Sequence, residues 1–348
     1  MLMVIFGAGA SYDSAQAFPV TNSPPSVGNG GPWRPPLAND LFRDPHESFG
    51  EIIRKYNKLT RILPYLREPT SHGSVEQTLE SLQVQSRDYP ERQRELAAVK
   101  FYLSDLLMEV TNKWDARTNG VTNYAPLVDE ILRLDKSGKE VCLVTFNYDL
   151  LLERALVSFR DFNMRGPEDF LSSHPRLKIF KLHGSVNWSR TVGTAGALYS
   201  PNQIIEQADS LQPLDRFVPA NAAREYGGER RYGPIFPALA IPVQTKTEDH
   251  FECPITHREC LANMLPSVTK ILIIGWQAKE AHFLKMLREN LPRLTDLMVV
   301  GKDYDDSNTI LRYFLDQVGK TSIPRTFYGM GGFTHFVVNQ EGDEFFRV

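Results

Sequence analysis

Apolar positions in this chain follow two different rhythms. Short unbroken runs occur in "LMVIF" (2–6), "VCLVTFNYD" (141–149), "LKIFKLHG" (177–184), "KILIIGWQ" (270–277) and "DLMVVGKD" (296–303). Runs without polar alternation mark strands buried on both faces of a parallel sheet. Between the first two runs the rhythm changes. Leu96, Val99, Leu103, Leu106, Leu107 and Val110 recur at three and four residue spacing, and so do Leu127, Ile131 and Leu134. That period belongs to amphipathic helices packed by one face. Shorter helical patterns follow the later runs, in "LLLERALVSF", "EAHFLKMLREN" and "NTILRYFLDQV".

Strands that alternate with helices and end in glycine predict an α/β fold, a doubly wound (Rossmann-like) parallel sheet, because parallel strands need helical crossovers. The helical stretch at about 43–136 is then an insertion in that sheet. Ligands of such folds sit at the carboxyl ends of the strands. The Pro- and Gly-rich segment "FPVTNSPPSVGNGGPWRPPLAND" lacks periodicity and reads as a long loop, and residues 190–250 read as loops with short elements.

Charge and cysteine content narrow the function classes. A net charge of −3 without a basic run gives no phosphate-tracking surface, so direct nucleic-acid binding is not expected. No apolar run approaches the roughly 20 residues of a spanning helix, and "MLMVIFGAG" is too short for a secretory segment. The three cysteines, Cys142, Cys253 and Cys260, lack framework spacing and suit reduced thiols. These features predict a cytoplasmic protein with no membrane partner. Cys253 and Cys260 bracket His257, but no CxxC knuckle and no second ligand pair occurs, so no zinc or other metal site is expected.

Candidate chemistry gathers at the strand ends. "GAGAS" supplies Gly7, Ala8 and Gly9, small residues that permit a tight turn and a pyrophosphate at exposed backbone N–H groups. The third glycine of GxGxxG is replaced by Tyr12, which disfavours an ordinary dinucleotide dehydrogenase. By itself the segment suits a turn without ligand equally well. "TFNYD" places Asn147 and Asp149 where the second strand ends. Both residue types make turn and cap hydrogen bonds routinely, and Asp149 can cap the following helix. His183 in "KLHGSVNW" ends the third strand, and Gly184 lets the chain turn away. Its type and position suit a packed structural imidazole as well as a proton acceptor.

Taken together and in this order, "GAGAS", "TFNYD", "KLHGSVNW" and "IIGW" resemble the sirtuin-like family, and within it the bacterial branch found in antiviral defence, whose members hydrolyse NAD. The resemblance spans nearly the whole chain and implies one NAD-binding catalytic domain over 1–348. It implies that Gly7, Ala8, Gly9 and Ser11 cradle the NAD phosphates, that Asn147 contacts the nicotinamide ribose and positions a water, and that Asp149 supports the nicotinamide side. It further implies His183 as general base, Gly275 and Trp276 beside the adenosine ribose, and Gly301 toward the adenine. "RPPLANDLF" (34–42) matches the family's mobile loop over the nicotinamide.

Two departures bear on the reaction. The zinc-binding pairs of protein-deacylating sirtuins are missing, and Phe146 stands where deacylases commonly carry glutamine. The resemblance therefore implies an NAD+ hydrolase that releases nicotinamide and ADP-ribose, with NAD as substrate, depleting NAD in abortive infection. The alternatives are an NAD-dependent deacylase or ADP-ribosyl transferase, and a non-catalytic module that binds NAD or ADP-ribose. Unrestrained NAD loss is lethal, so control by homo-oligomerisation or by a partner defence protein, an ATPase or an Argonaute-type chain, is expected.

Overall fold

The computed structural model describes residues 1–20, 33–43, 47–68, 73–136, 138–159, 162–193, 200–221, 233–243, 251–292, 294–319 and 325–347. Much of the Pro- and Gly-rich stretch, 21–32, lies outside them. In chain order the first strand and helix are β1 (Leu2–Phe6) and α1 (Ala8–Tyr12). Five helices follow: α2 (Glu47–Arg54), α3 (Asn57–Arg67), α4 (Val75–Gln85), α5 (Pro90–Thr118) and α6 (Tyr124–Lys136). The chain then runs through β2 (Val141–Thr145), α7 (Leu151–Phe159), α8 (Asp169–Ser172), β3 (Leu177–Lys181) and β4 (Gly184–Gly193). Next come α9 (Pro201–Glu206), β5 (Gln212–Pro219), β6 (Ile235–Leu239), α10 (Ile255–Met264) and β7 (Lys270–Ile274). The last elements are α11 (Ala281–Asn290), β8 (Asp296–Val300), α12 (Tyr304–Val318), β9 (Arg325–Gly329), α13 (Gly332–Val338) and α14 (Asp343–Arg347).

Helix boundaries follow local chemistry. Ser74 and Gln77 form a reciprocal capping box that starts α4. Pro90 opens α5, where a missing N–H costs nothing, and Asn119 ends it in the left-handed conformation. Asp303 accepts from the Asp306 N–H to start α12, and Gly319 closes that helix at φ 65°.

Six strands form one sheet in the order β3-β2-β1-β7-β8-β9, with every pair parallel. This is the doubly wound order, and it reverses between β1 and β7. The pairing aligns Phe6 with both Thr145 and Ile274, so the next residues of all three strands emerge at one level. The inner strands β1, β2 and β8 are buried at every position, as their unbroken apolar runs require.

The segment 190–250, read as loops with short elements, carries those short elements as strands and a helix among its described residues. It contributes to a second, antiparallel sheet of order β5-β4-β6. Pro213 and Pro219 in β5 and Pro237 in β6 masked the strands, and both lie at sheet edges, where a missing N–H is tolerated. This small sheet packs on the helices before β2. Leu59, Leu79, Tyr102 and Leu106 share one core with Val186, Phe236, Leu239 and Ile241. Trp114, Tyr124, Val128 and Ile131 instead join the core of the parallel sheet. The described residues therefore hold two cores, with α5 reaching from one to the other.

Candidate functional site

The strand order reverses between β1 and β7, the position at which open α/β sheets take ligands, and the glycines there are needed for backbone contact. The Gly9 N–H donates to the Gly275 carbonyl (3.0 Å), and the Gly7 N–H to that of Ile274 (3.1 Å). A Cβ on Gly7 would lie 2.5 Å from the Gly275 oxygen, and one on Gly275, at φ +60°, would lie 2.2 Å from the Ala10 nitrogen. The two turns therefore approach as closely as only glycine permits. Ala8 is left exposed at the start of α1.

Asn147 reaches this turn from the neighbouring strand. Its Nδ2 donates to the Gly7 carbonyl (2.9 Å) and to Ser11 Oγ (3.0 Å), and lies 3.4 Å from the Tyr124 hydroxyl. Asn147 retains 7% exposure, whereas Ser11 retains 2%. Ser11, expected at the phosphates, thus spends its hydroxyl on Asn147 and on Tyr124, 3.0 Å away. Asp149 Oδ1 accepts from the Leu151 N–H at 3.0 Å, the expected role at the start of α7.

Below Asp149 lies an enclosed ion pair. Lys181 Nζ donates to Glu153 Oε1 at 2.6 Å and to the Asp149 carbonyl, and both charged side chains are buried. Burial pushes the Glu153 carboxyl up, and the adjacent ammonium only partly offsets this. The sequence reading missed this pair, although a lysine inside the run "LKIFKL" and a glutamate on the apolar face of "LLLERAL" could have signalled it. Charges so placed demand partners.

His183 follows β3 by two residues. Its carbonyl accepts from Ala240 N–H (2.9 Å), and its ring lies 4.8 Å from Phe146, 6.3 Å from Tyr148 and 6.2 Å from His282 between centroids. The imidazole is 2% exposed. Gly184 turns the chain into β4 at φ +85°, and a Cβ there would lie 1.9 Å from the Ala238 carbonyl oxygen. Ser185 and Trp188 then run along β4 as buried side chains. Phe146 thus joins His183 to Trp276, on which it stacks at 5.3 Å and 12°. Trp276 is buried and donates its indole N–H to Glu280 Oε2.

Two segments expected near the ligand are occupied by protein contacts. Gly301 N–H donates to Ser307 Oγ (2.9 Å), and its carbonyl accepts from Gly332 (2.8 Å). In the 34–42 segment, Arg34 donates to the carbonyls of Tyr12 (2.7 Å) and Phe18 (2.5 Å), while Leu41 and Phe42 enter the helical core. Arg34 also lies over the rings of Tyr12 and Trp114, so it ties the 34–42 segment to the end of α1.

Among the described residues no group of three or more His, Cys, Asp or Glu could hold a metal ion, and no helix is long and apolar enough to cross a membrane. His257, between the two cysteines, bonds through Nε2 to the Pro167 carbonyl (2.8 Å), and burial lowers its pKa to about 4. Burial pushes the Cys253 thiol up to about 12.

Residues 141–221 match the family model of the SIR2-like domain. The matched stretch carries Asn147, Asp149, Lys181 and His183. No curated protein sequence matches the chain. Solved structures similar to it include a Sir2 homologue in complex with NAD, at 13% identity over 99% of this chain and 89% of that one, with a TM-score of 0.40. A Sir2 homologue mutant with 2′-O-acetyl ADP ribose matches at 13% identity, 99% and 90% coverage, and a TM-score of 0.40. A structure described as showing the basis for the mechanism and regulation of Sir2 enzymes matches at 12% identity, 100% and 93% coverage, and 0.38. At these scores the likenesses add nothing to what the strand order already shows.

Proposed function

We propose that this chain is a sirtuin-like NAD+ hydrolase that cleaves the bond between nicotinamide and ribose. The observation that carries this reading is the 2.9 Å hydrogen bond from Asn147 to the Gly7 carbonyl, which brings the "TFNYD" asparagine against the glycine turn at the reversal of strand order. The SIR2-like match over 141–221 supports the same family. Within Gly7, Ala8 and Gly9 a pyrophosphate would meet the chain at the exposed Ala8, at the start of α1, since the Gly7 and Gly9 N–H groups donate to Ile274 and Gly275.

Nicotinamide in NAD+ is already a cationic leaving group, so departure needs no general acid. The glycosidic bond breaks with its electron pair moving to the pyridinium nitrogen, and a water oxygen bonds to C1′. His183 accepts the proton that this water loses, a role open to an imidazole at cellular pH. Asn147 holds a ribose hydroxyl or the water by neutral hydrogen bonds, stabilising the cationic ribose without trapping it. Asp149 supports the nicotinamide side, and Gly275 with Trp276 the adenosine side. The products are nicotinamide and ADP-ribose. In the cell this activity would deplete NAD during antiphage defence, held in check by self-association or by a partner ATPase or Argonaute-type chain. That biological setting rests on the motif resemblance.

His183→Ala and Asn147→Ala are each expected to lower nicotinamide release at least about 100-fold while unfolding cooperatively like the parent. Normal turnover in either folded variant sinks the assignment. A strict requirement for an acylated peptide in the parent's reaction would replace hydrolysis by deacylation.

A further inference from the structure

Asn147 has two amide N–H groups and one amide oxygen, and the surrounding protein uses them unequally. The Gly7 carbonyl, 2.9 Å from Nδ2, can only accept, which decides the side of the amide that carries nitrogen. The second N–H meets Ser11 Oγ at 3.0 Å, with the Tyr124 hydroxyl at 3.4 Å. Oδ1 therefore faces the other way, and what Asn147 presents beyond these contacts is an acceptor.

Tyr124 is the remote member of this set. It arrives from the first position of α6, and its ring is held between Phe6 and Phe333, each 5.4 Å away between centroids. It retains 1% exposure, and its hydroxyl lies 3.0 Å from Ser11 Oγ. Burial, and then the charge of Asp149, push its phenol well above the ordinary range, so it remains a neutral hydroxyl in the cellular pH range. The Gly7 carbonyl sets the side of the amide that carries nitrogen, and a rigid hydroxyl pair takes up its second N–H and holds the amide plane in place.

We propose that Tyr124, acting with Ser11, is a positioning residue that holds the Asn147 amide with its oxygen toward the substrate, making Asn147 an acceptor for O–H groups of the nicotinamide ribose or the attacking water. The proposal rests on the NAD-hydrolysis reading and refines it: the site selects a ligand that donates at this point. Turning the amide over would place N–H donors against hydroxyl protons or a developing cation and lose the interaction when it matters most. Ser11 is then assigned to the catalytic amide rather than to a phosphate.

The test compares Tyr124→Phe, Ser11→Ala and the double variant with the parent in two readouts. The first needs no substrate: hydrogen exchange and 15N–1H chemical shifts of the Asn147 side-chain amide, assigned with Asn147→Ala. The parent should show two protected protons, and the variants faster exchange, fastest in the double variant. The second is NAD turnover, where kcat should fall roughly 5–30-fold with KM within about twofold, since loss of one hydrogen bond made in the transition state has that scale. Unchanged amide exchange in all three variants overturns the proposal, and so does altered exchange with unaltered kcat. A parent that releases no nicotinamide while its amide is locked as described defeats the hydrolysis reading alone. Tyr124→Phe removes one oxygen from a packed ring, and Ser11→Ala provides an independent variant if it unfolds.

Discussion

At the amino end of the parallel sheet, Asp296 meets Arg325 Nη2 at 2.5 Å and Lys270 Nζ at 3.5 Å, and the arginine side chain is 53% exposed. At the carboxyl end, Lys181 and Glu153 meet at 2.6 Å with neither open to water. Both are carboxylates paired across neighbouring elements, yet they do different physical work. Asp296 is as buried as Glu153, but its partner Arg325 reaches solvent and can fall back on it when the carboxylate is lost. The carboxyl-end pair has no such refuge, and it shares its ammonium with the Asp149 carbonyl, two residues from Asn147. Buried charge at this end holds the geometry of the strand end at which the proposed site lies.

Removing one member at each end sharpens the contrast. Lys181→Met leaves Glu153 enclosed without its counter-charge, and should cost about 3–5 kcal/mol in denaturant-derived unfolding free energy. Adding Glu153→Leu should return most of that loss while NAD turnover stays low, because Asp149 has still lost its anchor. Full recovery of turnover would show that the pair serves stability only. Asp296→Asn should cost only about 1 kcal/mol, with NAD turnover per folded molecule unchanged. A loss there as large as that of Lys181→Met would erase the distinction between the two ends.

How much of this was legible in the sequence depended on how local the determining physics is. The inner strands are buried on both faces, so their apolar runs announced them. β9, "RTFYG", is an edge strand with intermediate burial and gave no such run. β5 and β6 were hidden by prolines that an edge accepts and a propensity reading rejects. In the site, strand ends were readable from glycine and from the polar residues after each run, which placed Gly7, Asn147, His183 and Gly275 at one end of the sheet. Which residue holds which was not readable. Tyr124 lies 23 positions from Asn147, and nothing in its surroundings marks it apart from the helix it begins. Ser11 pointed to phosphate by motif and to Asn147 by geometry, because a hydroxyl's partner is chosen by the fold. Lys181 and Glu153 did carry a signal, since charges inside apolar patterns must find each other.

A crystal structure of the chain with ADP-ribose, the expected product, tests the central claim most directly. The account predicts the pyrophosphate against Gly7, Ala8 and Gly9, and the ribose that carried nicotinamide against Asn147 Oδ1, with His183 on the side of the departed ring. ADP-ribose bound elsewhere, such as the roughly 380 Å³ cavity that Leu127 and Arg133 line with Phe336 and Phe346, with the strand-end site unchanged, would contradict it.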